Sequence, residues 1–392
     1  MTPKRTLLAS RTVASAAAST PIRVVVVTMD SHMVSAGARA QARLRETMPG
    51  LTLTIHAAAE WAGNEEKLAR CNADIASGDI VINSMLFMED HFQPVLPALN
   101  ARRDHCDAMV SCMSAAEVMK LTRIGKFQMD KPATGVMAML KRLKGDSKKG
   151  ATEQPSASKG AQQMKMLRRL PRMLRFIPGT AQDVRAYFLT LQYWLAGSEE
   201  NISSLVHALV DRYADGPRKV LRGLAKVSEP VEYPEVGVYH PRMAQNGAHS
   251  MGRMAESASQ LPSVATGGKR GTVGLLLMRS YVLAGNADHY DGVITAMEAR
   301  GLRVIPAFAT GLDARPAIDA FFVKDGRPVI DALVSLTGFS LVGGPAYNDS
   351  KAAEETLSKL DVPYLAVHPV EFQTLDQWGG SLRGLQIGRA HV

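Results

Sequence analysis

The chain has few cysteines, and their spacing excludes two common kinds of small stabilised domain. Cys71, Cys106 and Cys112 are the only three among 392 residues. Three irregularly spaced thiols cannot build a disulfide framework, and a single pair six residues apart does not match a zinc pattern. We expect all three to be buried structural thiols, because free cysteine packs as a small apolar residue. The small number of cysteines and the lack of a disulfide pattern favour a protein of the reducing cytoplasm.

Long apolar runs and familiar catalytic motifs are also missing. No run approaches the roughly 20 apolar residues that a transmembrane helix requires. The sequence contains no GxxxxGK[ST], GxGxxG, HExxH or GxSxG motif. The glycine-rich run at residues 267–271 has the wrong spacing, and it precedes a predicted strand where a phosphate loop would follow one. The sequence therefore predicts no transmembrane segment and no nucleotide site of its own.

Positive charge is concentrated in one segment. The formal net charge is +9. Residues 141–175 contain eleven Lys or Arg and two acidic residues, which accounts for the whole excess. The rest of the chain is balanced, so we expect no nucleic-acid partner. Within this segment, residues 161–176 alternate Met, Leu and Phe with Arg at near-helical spacing. Contact with a membrane or nucleic acid is one interpretation, and docking on the protein itself or a partner is the other.

The order of patterns predicts two α/β domains. From residue 22, four short apolar strands alternate with four helices, which is typical of a mostly parallel sheet covered on both faces. A second alternation begins at residue 271. The predicted fold class is two doubly wound, mostly parallel α/β domains joined by a helical connector. The predicted division is a disordered tail at 1–21, an N-terminal α/β domain at 22–140, a mobile basic linker at 141–160, the helical connector at 161–228, a Pro/Gly/Ser-rich linker at 229–270, a second α/β domain at 271–385, and a non-native tail at 386–392.

The clearest candidate site lies in residues 272–308. An apolar strand is followed by a polar loop, a helix, a glycine and a second strand, and such βαβ units place working groups where the first strand ends. A glycine loop follows a later strand and is expected at the same cleft. The candidates are Arg279, Ser280, Tyr281, Asn286, His289, Asp291, Gly343 and Gly344.

Two interpretations of this loop remain open from residue types alone. Arg279 could hold a carboxylate, while His289 with Asp288 and Asp291 could bind a cation or pass a proton. Alternatively, Asp288 caps the helix, His289 and Tyr290 pack against the sheet edge, and Arg279 pairs internally. No complete catalytic set can be named.

Several stretches together resemble one family. RSYVLAGNADHYDGVITAMEARGLRVIPAF, FSLVGGPAYND and VPYLAVHPVEFQTLDQW resemble the large porphyrin-binding subunit of magnesium chelatase and its cobaltochelatase relative. Upstream, VVVVTMDSHMVSAG and DIVINSMLFMEDHFQPVLPAL resemble the extra N-terminal domain of the magnesium enzyme, which argues against the cobalt relative. The resemblance spans residues 22–380.

The resemblance implies an ATP-dependent metal–porphyrin ligase component of chlorophyll or bacteriochlorophyll synthesis. In that family the large subunit binds protoporphyrin IX, Mg²⁺ is a substrate, and the partner I and D subunits, related to AAA+ ATPases, hydrolyse ATP. No cofactor is expected on this fragment itself. The composition of residues 1–21 also resembles a transit peptide. The plastid stroma is therefore the alternative to the cytoplasm.

The chain departs from the family in length, since large subunits exceed a thousand residues. Its last seven residues, QIGRAHV, match a translated sequencing adaptor, so we expect an N-terminal fragment that is inactive alone. Most of the porphyrin body would lie outside it, and no catalytic residue can be transferred. A cobalt-inserting large subunit of corrinoid synthesis and a stand-alone two-domain α/β binding module are the alternatives.

Overall fold

The structure is a computed structural model that describes residues 19–29, 31–61, 64–131, 169–224, 226–243, 253–263, 270–344, 347–368, 375–382 and 384. The chain divides into two compact units, Met1–Val231 and Glu232–Val392. The predicted basic linker 141–160 and the predicted tail 386–392 lie outside the described residues, as does most of the predicted tail 1–21. In the described parts of the chain, no helix combines the length and apolar character needed to cross a membrane.

The first unit is built on one sheet with helices on both faces. Its elements are β1 (Ile22–Thr28), α1 (Val34–Arg45), β2 (Leu51–Ala57), α2 (Glu65–Ser77), β3 (Ile80–Ser84), α3 (Glu89–Phe92), α4 (Leu96–Arg102), β4 (Ala108–Cys112), α5 (Ala116–Met119), β5 (Arg123–Ile124), β6 (Phe127–Gln128), α6 (Thr180–Ala196) and α7 (Glu199–Tyr213).

The strand order of the first unit is β2-β1-β3-β4-β5-β6. The first four strands are parallel, and the β5–β6 hairpin is antiparallel. All five residues of β3 and of β4 are buried, as expected for parallel strands covered on both faces. The three cysteines are buried as well, at 0–6% exposure. The four parallel strands and the α/β class predicted from the sequence are thus confirmed.

Helices α6 and α7, predicted as part of a connector, lie within the first unit. Ser198 begins α7, and its side chain accepts a hydrogen bond from Asn201 N. Helix α7 packs on α1 and on α6. Tyr187 of α6 lies edge-on to Phe127, with ring centroids 5.8 Å apart. The aromatic residues of α6 therefore belong to the core of this unit.

The described part of the basic amphipathic segment, from residue 169 onward, packs on the first unit. Leu170 and Leu174 are buried, whereas Met173 and Phe176 are exposed. Arg185 Nε donates to Pro171 O at 3.0 Å, and Gln182 Nε2 donates to Leu174 O at 2.8 Å. Residues 169–177 thus dock on the protein itself through one face.

The second unit contains a second mixed sheet. Its elements are β7 (Val236–Tyr239), β8 (Met254–Ala255), β9 (Thr272–Met278), α8 (Arg279–Leu283), α9 (Asp288–Ala299), β10 (Arg303–Ala309), α10 (Arg315–Phe321), β11 (Val323–Lys324), β12 (Arg327–Pro328), β13 (Ala332–Ser335), β14 (Gly343–Gly344), β15 (Tyr347–Asn348), α11 (Ser350–Leu360), β16 (Tyr364–Ala366) and α12 (Leu375–Gly379). The strand order is β16-β13-β9-β10-β7-β8, with the first four parallel and the last two antiparallel.

The prediction of a linker at 229–270 is wrong for the part that forms β7 and β8. Strand β7 pairs antiparallel with β10, and Val238 and Tyr239 are buried. At Gly237 an added Cβ would lie 2.7 Å from Phe308 Cζ, so the glycine lets that ring pack against the strand. Four residues between proline turns give too short a pattern to distinguish a strand from a loop.

Candidate functional site

The candidate loop begins without a break at the end of β9. Arg279 is the first residue of the short helix α8, and its side chain turns back to the start of the unit. Its Nε donates to Pro234 O at 2.7 Å, and its Nη2 donates to Tyr233 O at 3.1 Å. The guanidinium therefore anchors the segment that leads into β7. This is the internal pairing that the second interpretation expected.

His289 lies in an aromatic cluster. Its ring centroid is 3.9 Å from that of Tyr290 and 5.7 Å from that of Tyr281. Partial desolvation lowers the pKa of His289, while the nearby Asp288 and Asp291 oppose that change. The lowered pKa favours the neutral imidazole, in which one ring nitrogen can accept a hydrogen bond and the other can donate one.

Tyr290 fixes the end of the preceding strand. It is 1% exposed, and its hydroxyl accepts a hydrogen bond from Met278 N at 3.1 Å. Burial raises the pKa of Tyr290 to about 12, against the smaller opposing effect of that hydrogen bond. The phenol therefore stays protonated and holds the last residue of β9 in place.

Asp291 binds the segment that was predicted as a linker. Its Oδ1 accepts from the Tyr239 hydroxyl at 2.6 Å, and its Oδ2 lies 3.5 Å from Arg253 Nη1. Burial, and then the hydrogen bond to Asp291, raise the pKa of Tyr239. Asp288 does not cap α9, because Ala287 is the N-cap and no side chain bonds there. Asp288 and Asp291 instead lie in the first turn, where the helix dipole favours negative charge.

The remaining candidates have backbone roles. Ser280 O accepts from Ala284 N at 2.9 Å, and Asn286 N donates to Tyr281 O at 2.9 Å. Gly343 and Gly344 form β14, which pairs with β15 as a small antiparallel hairpin. These residues shape turns of the loops in which they lie.

A cleft lies at the carboxyl ends of β9, β10 and β13, and the eight candidates are not among its lining residues. It contains about 360 Å³ of empty space, part of it open to solvent. The chain passes from β9 to β10 on one side of β9 and later returns to β13 on the other side, so the strand order reverses here. Open α/β sheets bind ligands at such switch points. Its lining comprises Leu276, Leu277, Met278, Ala309, Gly311, Leu312, Asp313, Ala314, Ser335, Thr337, Phe339, Ser340 and Leu341.

The polar groups of the cleft are already engaged. Asp313 Oδ2 accepts from Arg315 Nη2 at 2.6 Å, and Ser335 Oγ lies 3.0 Å from Thr337 Oγ1. Within the described residues, no group of three or more His, Cys, Asp or Glu is placed to hold a metal ion. The cleft thus has apolar walls and a hydroxyl rim. The sequence predicted a cleft at these strand ends but not its lining residues, although Gly311 and Thr337 each come two residues after a strand of the sheet.

The loop and the cleft are connected through β9. Met278 lines the cleft, its backbone is held by Tyr290, and the next residue is Arg279. The arrangement therefore assigns the loop a supporting role, since it fixes one wall of the cleft.

We expect Arg279→Ala to destabilise the second unit by about 1–3 kcal/mol, because two partly buried carbonyls lose their donor. Chemical denaturation measures this change. Arg300→Ala is the matched control, since Arg300 is exposed and, among the described residues, its side chain bonds to Ala296 O in the preceding turn of the helix. Equal stabilities of the two variants would contradict the anchoring role of Arg279.

The fold defines an α/β protein with two units in one chain. Family models cover both units. Residues 23–188 match a domain of unknown function, DUF3479, and residues 191–392 match the CobN/Magnesium Chelatase family. The second match covers more than half of the chain, so the chain belongs to the CobN/magnesium chelatase family.

Curated relatives agree with this assignment. The chain is 50% identical over 372 residues to the magnesium-chelatase H subunit of Cereibacter sphaeroides, covering 95% of this chain and 30% of that protein. It is 33% identical over 332 residues to the chloroplastic magnesium-chelatase ChlH subunit of Oryza sativa subsp. indica, covering 82% of this chain and 23% of that protein. The chain spans less than a third of the length of these relatives.

A solved structure, "Catalytic Subunit of Cobaltochelatase from Mycobacterium tuberculosis", aligns with 94% of this chain and 23% of that chain. The TM-score is 0.40 and the identity 15%, which is too distant a likeness to carry an argument.

Proposed function

We propose that this chain is the N-terminal portion of a magnesium chelatase large subunit, a metal–porphyrin ligase component of chlorophyll or bacteriochlorophyll synthesis. The observation that carries the proposal is the 50% identity to a magnesium-chelatase H subunit over 95% of the chain, through both α/β units. An identity of that size, over a region that includes both units, favours a shared role in the same assembly. We place it in the cytoplasm, or in the plastid stroma of a photosynthetic eukaryote.

In this proposal protoporphyrin IX and Mg²⁺ are the substrates, and ATP is hydrolysed by the partner I and D subunits. Mg²⁺ gives up its water reluctantly, so insertion requires a site that replaces water with nitrogen ligands while the macrocycle loses two protons. Coupling to ATP hydrolysis supplies the free energy for that exchange. The lack of a phosphate-loop motif in this sequence is compatible with such a division of labour.

The residues at 279–291 and 343–344 have a positioning role in this proposal. Arg279, Tyr290 and Asp291 hold β9 and its neighbours together, and β9 forms one wall of the apolar cleft. We therefore assign proton transfer and metal handling to residues outside this chain. The loop would keep a supporting surface in place.

A chimera tests the proposal. Residues 22–385 of this chain would replace the matched region of the Cereibacter sphaeroides relative, and the whole protein would be assayed with the I and D subunits. We expect ATP-dependent Mg²⁺ insertion into deuteroporphyrin within about tenfold of the parent rate, a barrier difference of about 1.4 kcal/mol. The unmodified relative is the positive control. A folded chimera that fails to insert Mg²⁺, or that inserts only Co²⁺ into a corrin ring, would overturn the proposal.

A further inference from the structure

Strand β16 forms an outer edge of the sheet in the second unit. Among the described residues it pairs only with β13. Leu333 N donates to Pro363 O at 2.8 Å, and Val367 N donates to Ser335 O at 2.9 Å. Because hydrogen-bonding direction alternates along a strand, the backbone groups of Tyr364 and Ala366 point away from β13. Within the described part of the chain, no second strand pairs with these donors and acceptors.

The two faces of this edge differ. Leu333 and Tyr364 belong to the face covered by α10 and α11, together with Phe321 and Leu360. Leu365 and Val367 lie on the opposite face, and their exposed fractions are 52% and 43%. On that face α9 covers the sheet near β9, where the Tyr290 hydroxyl meets Met278 N. The described helices thus leave the apolar side chains of β16 uncovered.

This edge is short, since β16 has three residues and follows Pro363, but it carries no charge that would oppose pairing. Sheets with helices on both faces normally bury both faces, and exposed edges usually carry Lys, Pro or a bulge that prevents pairing. Residues 364–367 are Tyr-Leu-Ala-Val, without a charge. The other edge of the same sheet differs, since β8 has two residues and both are buried. A neutral, apolar, unpaired edge fits another β-segment and not an anionic surface.

We propose that β16 is an internal docking edge, to which the remainder of the large subunit adds a strand whose apolar side chains cover Leu365 and Val367. This inference rests on the proposed function, because the occupant is the rest of that subunit. The relative from Cereibacter sphaeroides carries about 70% of its length outside the matched region, since that region covers 30% of it. Strand addition of this kind uses backbone hydrogen bonds for affinity and alternate side chains for specificity.

Cysteine labelling in this chain and in the full-length chimera tests the inference. The natural thiols Cys71, Cys106 and Cys112 are 0–6% exposed, so they give little background in the folded chain. Leu365→Cys reports on the edge. Val329→Cys is the matched control, because Val329 is 41% exposed in the same unit and lies outside β16. N-ethylmaleimide is the probe, and peptide mass spectrometry locates the label.

We expect Leu365→Cys to react rapidly in this chain and at least about tenfold more slowly in the chimera, as a covered strand becomes protected. Val329→Cys should react equally in both. Equal labelling of Leu365→Cys in the two proteins would overturn the inference. A second result would also overturn the inference: slow labelling of Leu365→Cys in this chain by itself that becomes fast on dilution. The strand that covers β16 would then come from a second copy of the chain. A chimera that is inactive but has a slowly labelled Leu365→Cys would count against the proposed function only. A chimera that is active but has a rapidly labelled Leu365→Cys would count against the docking edge only.

Discussion

Replacing Asp183 with alanine is expected to lower the free energy of unfolding of the first unit by about 3 kcal/mol. Asp183 lies in α6, is 7% exposed, and connects three separate segments. Its Oδ1 accepts from Arg212 Nη2 and from the Tyr213 hydroxyl, each at 3.0 Å. Its Oδ2 accepts from Lys126 N at 3.0 Å, which ties the β5–β6 hairpin to the helices.

The size of the effect follows from the groups that alanine would leave without a partner. Burial, and then the charge of Asp183, raise the pKa of Tyr213, so its hydroxyl remains a donor that requires an acceptor. Arg212 is partly exposed and can regain water, which places the loss at the lower end for a broken buried pair. Gly125 lies directly beside the same carboxylate. An added Cβ would lie 2.6 Å from Asp183 Oδ2, and the φ of Gly125 is +55°, so a residue with a side chain would clash and be strained there.

Denaturation followed by tryptophan fluorescence measures this effect. Trp61 and Trp194 are buried in the first unit, and a Trp378→Phe background removes the signal of the second. Asp104→Ala is the matched control, because that carboxylate is 70% exposed and its ion pairs are 3.7 Å or longer. Asp183→Asn should fall between the two, since it keeps an acceptor and loses the charge. An Asp183→Ala variant as stable as Asp104→Ala would show that the network contributes nothing.

The sheets could be predicted from the sequence because their strands carry the information locally. Parallel strands buried on both faces give continuous apolar runs, and residues 22–28 and 272–278 are runs of this kind. Glycine and proline mark the ends of some helices, as Pro49 and Gly50 do after α1 and Gly301 does after α9. By contrast, β7 is a strand because β10 and β8 lie beside it, and residues 236–239 alone have no period that distinguishes them from a loop.

The candidate site was harder to predict because its contacts join distant parts of the chain. Arg279 donates to carbonyls about 45 residues earlier, and no pattern near Arg279 indicates that partner. Asp291 likewise meets Tyr239, which follows a proline-rich stretch. The cleft depends on three strand ends that become neighbours only through strand order. Sequence reasoning thus found the polar loop beside the cleft, and tertiary contacts decide which residues line it.

Arg218→Ala is expected to have the largest effect on the first unit, a loss of about 3–5 kcal/mol, because it leaves two buried carboxylates without their principal counter-ion. Arg218 Nε and Nη2 each donate to Asp107 at 2.8 Å, and its Nη1 lies 3.3 Å from Asp79 Oδ1. The two carboxylate side chains are 6% and 10% exposed. Hydrogen bonding to Asp107 raises the pKa of Arg218, so the guanidinium stays charged.

The position of this network explains why its loss should affect the whole unit. Asp79 precedes β3 and also accepts from Arg23 N of β1 at 2.8 Å, while Asp107 precedes β4. Arg218 therefore fastens residues 216–221 to the amino ends of three strands. We expect a decrease in melting temperature of roughly 10 °C, given about 2–4 °C per kcal/mol for a unit of this size. Arg218→Lys should recover only part of it, since an ammonium cannot bind Asp107 through two parallel bonds. Arg70→Ala is the control, because Arg70 is an exposed arginine in a helix. Similar melting temperatures for Arg218→Ala and Arg70→Ala would refute the role of Arg218.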